Sequence, residues 1–108
     1  MTKLELFNRD LQQISAFFKA LSHPARLSIL EYLAETGVCI SGDISHELPL
    51  SRTTVNQHLK ELKALGLIKG KITGKHVNYC LNPEIITQYH AMVQSWIEKI
   101  SNSPTNIC

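Results

Sequence analysis

Positions 51 to 60 read Ser-Arg-Thr-Thr-Val-Asn-Gln-His-Leu-Lys, which crowds hydroxyl, amide, guanidinium and ammonium groups into fewer than three helical turns. Asn and Gln can pair bidentately with adenine and Arg with guanine, while Thr offers a hydroxyl and a methyl. Ser51, Arg52, Thr53, Thr54, Asn56, Gln57 and Lys60 are therefore base-edge and phosphate ligands by type. Shortly after them come Lys69, Lys71, Lys75 and His76, spread about a glycine, a set suited to phosphate contacts. His58 sits at the edge of the apolar stripe formed by Val55, Leu59 and Leu62, and is read as a packing histidine.

Thiol chemistry is the second candidate. Cys39, Cys80 and Cys108 form no CxxC pair, and three is not the even number of a disulfide framework, so a structural disulfide is not expected. Cys39 is open to three readings: a small buried hydrophobe, a redox thiol, or a soft-metal ligand completed elsewhere, for example by Cys80. A soft metal or metalloid ion is thus the one cofactor in view, and none is certain. There is no Gly-rich phosphate loop, no nucleophile elbow and no HExxH run, and scattered Ser and His residues make no triad, so an enzyme is not expected.

These groups need elements to hold them. Leu4, Phe7, Leu11, Ile14, Phe18 and Leu21 recur at intervals of three and four, predicting an amphipathic helix from about Lys3 to Leu21. A second helix is expected near residues 24 to 35, with Ser22 as cap, Pro24 in the first turn and Gly37 as stop. A two-turn helix near 41 to 48 ends at Pro49. Ser51 then caps a helix from about 52 to 65, closed by Gly66. Leu67 to Thr73 and His76 to Leu81 read as strands joined at Thr73-Gly74-Lys75, a glycine turn that supports a hairpin. A last helix runs from Pro83 or Glu84 to about Ile100, and its apolar load is unusually heavy for a terminal helix. The helix from 41 to 48, the turn and the helix from 52 to 65 make a helix-turn-helix, with the hairpin beside it as a wing.

The bulk numbers agree with one domain. The 108 residues are 44% hydrophobic and 19% charged, with no apolar run able to span a bilayer and no signal-peptide pattern, so no membrane partner and a cytoplasmic location are expected. The formal charge is only +2, but it is unevenly placed. Residues 31 to 47 carry Glu31, Glu35, Asp43 and Glu47 without a cation, whereas Arg52, Lys60, Lys63, Lys69, Lys71 and Lys75 stand against Glu61 alone between 52 and 76. Residues 1 to 101 form the expected domain and 102 to 108 a disordered tail.

The runs LSHPARLSILEYL, LPLSRTTVNQHLKELKALGLI and GKITGKHVNYCL resemble the ArsR-type family of winged-helix transcriptional repressors over roughly residues 11 to 100. Ser51 to Ile68, with its Ser-x-x-Thr-Val-x-x-His-Leu spacing, is the most specific piece. The resemblance implies a mainly α (α+β) winged helix-turn-helix, in the order four helices, two strands, one helix. It also implies a homodimer that binds an inverted repeat in double-stranded DNA and leaves it when an inducer binds. The dimer would be built from the first and last helices, through Leu4, Phe7, Leu11, Ile14, Tyr89, Met92, Val93, Trp96 and Ile97, the same two helices whose apolar load already calls for a partner. Many relatives hold a soft metal with a Cys-x-Cys pair, but here Ser41 follows Cys39. Others bind zinc through Asp and His on the last helix; here Glu84, His90 and Glu98 are present and Gln88 stands where the Asp is sought. The competing reading is a winged-helix protein-interaction module, in which the wing lysines only solvate the surface.

Overall fold

The computed structural model describes residues 3–37, 39–41, 48–74, 76–102 and 104. Its first element is a single 3-10 turn, Lys3–Leu6, followed by α1, Arg9–Ala20. The expected start at Lys3 is corrected: Asn8 interrupts the helix because its side chain accepts from the Asp10 N–H at 2.7 Å, a local bond that fixes Asn8 as the cap. Ser22 does not cap the next helix. Its hydroxyl instead donates to the Lys19 carbonyl, and His23 caps α2, Pro24–Thr36, by accepting from the Ala25 N–H through Nδ1 at 3.0 Å. Gly37 ends α2 at φ 67°, a left-handed conformation that costs glycine little.

A two-residue strand, β1 (Ile40–Ser41), occupies the position where the two-turn helix was expected to begin. Residues 42–47 of that expected helix lie outside the described residues, and Leu48 and Pro49 form a turn. Among the described residues the α-helices therefore number four, not five. α3 spans Arg52–Ala64 and is capped by Ser51 as its sequence predicts. At its end the Gly66 N–H donates to Lys63 and the Leu67 N–H to Leu62, the two bonds of a Schellman motif, so the chain reverses with Leu67 driven back onto Leu62.

β2 (Ile68–Thr73) and β3 (His76–Leu81) form the hairpin, and β1 adds to the other edge of β3 to give the sheet order β1-β3-β2. α4, Pro83–Ser101, closes the fold. The core is a contiguous cluster of Ile29 and Leu33 from α2, Val55, Leu59 and Leu62 from α3, and Leu67 and Ile68 from the root of the hairpin. It clamps α3 between α2 and the sheet. α1 and α4 pack on each other through stacked Phe17 and Tyr89 (4.6 Å) and an edge contact of Phe18 with Trp96 (6.0 Å). The arrangement is a winged helix-turn-helix.

Candidate nucleic-acid interface

α3 is two-faced because its apolar residues repeat at helical spacing. Val55, His58, Leu59 and Leu62 are buried, and Arg52, Thr53, Asn56, Gln57 and Lys60 are exposed on the far side. Ser51 and Thr54 are exposed as well, but both serve the cap: Ser51 Oγ accepts from the Thr54 N–H at 3.2 Å and lies 3.0 Å from Thr54 Oγ1. Gln57 is pre-oriented, since its Nε2 donates to Glu61 Oε1 at 3.3 Å. That bond leaves the amide oxygen as an acceptor toward solvent. His58 is the packing histidine expected, only 7% exposed.

The hairpin register sorts the wing into two faces. Directly paired residues share a side, so Lys69 and Lys71 lie on one face with Cys80 and Asn78, while Ile68, Gly70 and Ile72 lie on the other with Leu81, Tyr79 and Val77. Lys69 and Lys71 are exposed. Lys75 lies outside the described residues, and of His76 only the backbone, paired with Thr73, is described. Gly74 turns the hairpin at φ 62°.

Sequence reasoning misses two groups on the apolar face. Lys63, one turn after Lys60, reaches across to Gly70, where a Cβ would stand 2.9 Å from its Nζ; the glycine is what admits the ammonium. Ile72 is 77% exposed because the apolar face runs past the end of the core toward the wing tip. The helical spacing of Lys60 and Lys63 is a usable signal for the first; nothing in the sequence separates Ile72 from a core strand residue.

The residues assigned to a dimer surface divide. Leu4, Phe7, Leu11 and Ile97 are exposed, and Met92, Val93 and Trp96 are half-buried. Leu4, Phe7, Leu11, Phe18 and Trp96 line a cleft of about 340 Å³ between the terminal elements. Two need correction as free surface. Ile14 is 6% exposed, already part of the protomer's interior, and Tyr89 spends one ring face on Phe17.

The thiols depart most from expectation. Cys39 and Cys80 form a disulfide, with Cα atoms 4.4 Å apart. The cause is sheet register: Ile40 pairs with Tyr79 and Ser41 with Asn78, so the next antiparallel step sets residue 39 opposite residue 80. Cys39 is exposed rather than a buried hydrophobe. While bonded, neither sulfur is a thiolate, and with Ser41 as the neighbouring donor these residues do not fit a soft metal ion. Among the described residues no three His, Cys, Asp or Glu side chains gather, so Glu84, His90 and Glu98 are not brought together as ligands. Nor is any described helix long and apolar enough to cross a membrane.

Comparison with known proteins adds to this geometry. Residues 23–69 match the family described as bacterial regulatory protein, arsR family. A cadmium resistance transcriptional regulatory protein CadC homolog of Staphylococcus aureus is 33% identical over 86 residues, covering 80% of this chain and 71% of that protein. The HTH-type transcriptional regulator YgaV of Escherichia coli (strain K12) is 28% identical over 95 residues, covering 88% of this chain and 96% of that one. Among solved structures, the homodimeric winged helix-turn-helix DNA-binding domain Mb0332 from Mycobacterium bovis superposes with a TM-score of 0.64 at 22% identity, over 90% of each chain, a likeness of fold.

Proposed function

The chain belongs to the ArsR family of bacterial regulatory proteins, and on that basis we propose that it is a homodimeric repressor that reads an inverted-repeat operator with α3 and holds the flanking phosphates with the hairpin. One observation carries this reading: Arg52, Thr53, Asn56, Gln57 and Lys60 stand exposed on a helix whose opposite face is locked into the core. A capped, clamped helix presents amide and guanidinium groups at little further entropic cost, as major-groove readout requires. The homodimer is drawn from the apolar residues that α1 and α4 leave exposed, and from the dimeric neighbour of the same fold. A bacterial regulator that reads operator DNA would work in the cytoplasm.

Selection from random duplexes at two salt concentrations tests the proposal. Enrichment of an inverted repeat with half-sites about one helical turn apart is expected, and no enrichment at either salt would refute it. A protein-interaction module would instead show no steep dependence of duplex affinity on salt.

A second reading concerns the signal, and the disulfide favours it. In a reducing compartment a disulfide is regulatory more often than structural. Oxidation of the two thiols releases two protons and two electrons to an oxidant such as a small-molecule disulfide, and ties β1 to the wing strand β3. Loss or gain of operator affinity on reduction, absent in Cys39→Ser, is the expected signature.

A further inference from the structure

Arg26, in the first turn of α2, has its guanidinium shared between two other elements. Its Nη1 donates to the carbonyls of Lys19 (3.4 Å) and Ala20 (3.3 Å) at the end of α1, and its Nε donates to Nδ1 of His58 on α3 at 3.1 Å. The His58 ring also lies against His23, with centroids 4.5 Å apart. Because Nδ1 accepts, the proton of the neutral imidazole must sit on Nε2. That atom is buried and has no hydrogen-bond partner among the described residues. A leucine would fill the site without stranding a polar atom, so what the histidine supplies is the acceptor for Arg26.

The grip holds only for a neutral ring. A proton on Nδ1 would set N–H against N–H and cation against cation. The charged and titratable groups facing His58 are His23 and Arg26 from α2 and Glu61 from its own helix; Lys19, at the end of α1, enters through its carbonyl. Burial, then His23 and Arg26, hold the His58 pKa below its usual 6.5, and Glu61 opposes them.

We propose that Arg26 is a positioning residue for DNA reading: by gripping neutral His58 it sets α3 against the end of α1, and protonation of His58 releases that setting and weakens operator binding. The inference rests on the DNA-binding reading above. Its consequence follows from symmetry, since two α3 helices must meet half-sites of fixed spacing, and a small change of angle at the α1 junction in each protomer is doubled across the dimer.

The test uses the operator recovered from the selection, with affinities of the wild type, Arg26→Lys and His58→Asn measured from pH 7.5 down through the titration of His58, read from its imidazole ¹⁵N shifts, and with dimer mass and thermal melting followed in parallel. Asn places an amide oxygen near the position of Nδ1 and does not titrate. The wild type should lose about tenfold in affinity, the scale of a typical coupling between sites, and only below pH 6.5. The sign excludes a purely electrostatic cause, because added positive charge by itself tightens DNA binding. His58→Asn should bind as wild type at pH 7.5 and keep its affinity in acid, and Arg26→Lys, folded and dimeric, should bind about tenfold more weakly at pH 7.5. Wild-type affinity that is flat or rising through the pH at which His58 titrates, a wild-type acid profile in His58→Asn, or unchanged binding by Arg26→Lys overturns the proposal. A wild type that binds no duplex at pH 7.5 refutes the DNA-binding reading itself, and this inference with it. Should Arg26→Lys fail to fold, imidazole ¹⁵N shifts decide: affinity lost at the pH where His58 titrates supports the grip, and affinity lost elsewhere overturns it.

Discussion

Gln57 is held by Glu61 with its amide oxygen still presented to solvent. Gln57→Ala should therefore relax base preference at one position of each half-site by about 1–3 kcal/mol, measured by competition between single-base operator variants, with little change on nonspecific duplex. His58 makes a separate prediction about folding. Its folded pKa lies below the unfolded value of 6.5, so above 6.5 it adds no pH dependence. As pH falls from 6.5 toward the folded pKa the unfolded chain binds the proton first, and stability declines before levelling off. Urea melts of the wild type against His58→Asn over that window check this. At this scale much was legible: the helical stripe identified Ser51 as a cap and Val55, Leu59 and Leu62 as core. What was not legible depended on local side-chain geometry or on neighbours remote in sequence. His23 replaced Ser22 as a cap because a ring nitrogen can accept when the backbone brings the next turn to it, and Cys39 met Cys80 only through sheet register.

Register also governs the wing as an element. Two β-prone runs flanked Gly74, which marked the turn, so the hairpin was readable locally, while which residues share a side came only with the register. β1 was not, because two residues carry no periodicity and the strand exists only by pairing with β3. Lys69→Ala with Lys71→Ala should weaken binding to all duplexes alike and make the log-log salt slope shallower by up to about 0.9 for each phosphate no longer neutralised; an unchanged slope removes that face from the interface. The disulfide closes a sequence separation of 41 residues. In the chain-entropy account such a loop contributes about 4 kcal/mol, so reduction, or Cys80→Ser, should lower the unfolding free energy on that scale in denaturant melts.

For the whole molecule, the apolar load of α4 is the most telling quantity. α4 carries Ile85, Ile86, Tyr89, Met92, Val93, Trp96, Ile97 and Ile100, yet no residue of it is fully buried. The radius of gyration is 16.7 Å, against about 13 Å for a compact chain of this length. Trp96→Glu should give folded monomers by sedimentation, with operator binding lost because a single half-site remains. A persistent dimer would exclude this face. That two helices were over-apolar could be read from the sequence; which side chains they spend on each other, Phe17 on Tyr89 and Phe18 on Trp96, could not.

The bond between Cys39 and Cys80 makes a ring of the chain between them, and α3 with nearly the whole hairpin lies inside it, while α1, α2 and α4 leave the ring as two arms. A single backbone cut anywhere within the ring opens it without dividing the molecule. Oxidised protein nicked at the wing would therefore migrate as one species until a reductant is added, whereupon two fragments separate, each carrying one of the two arms.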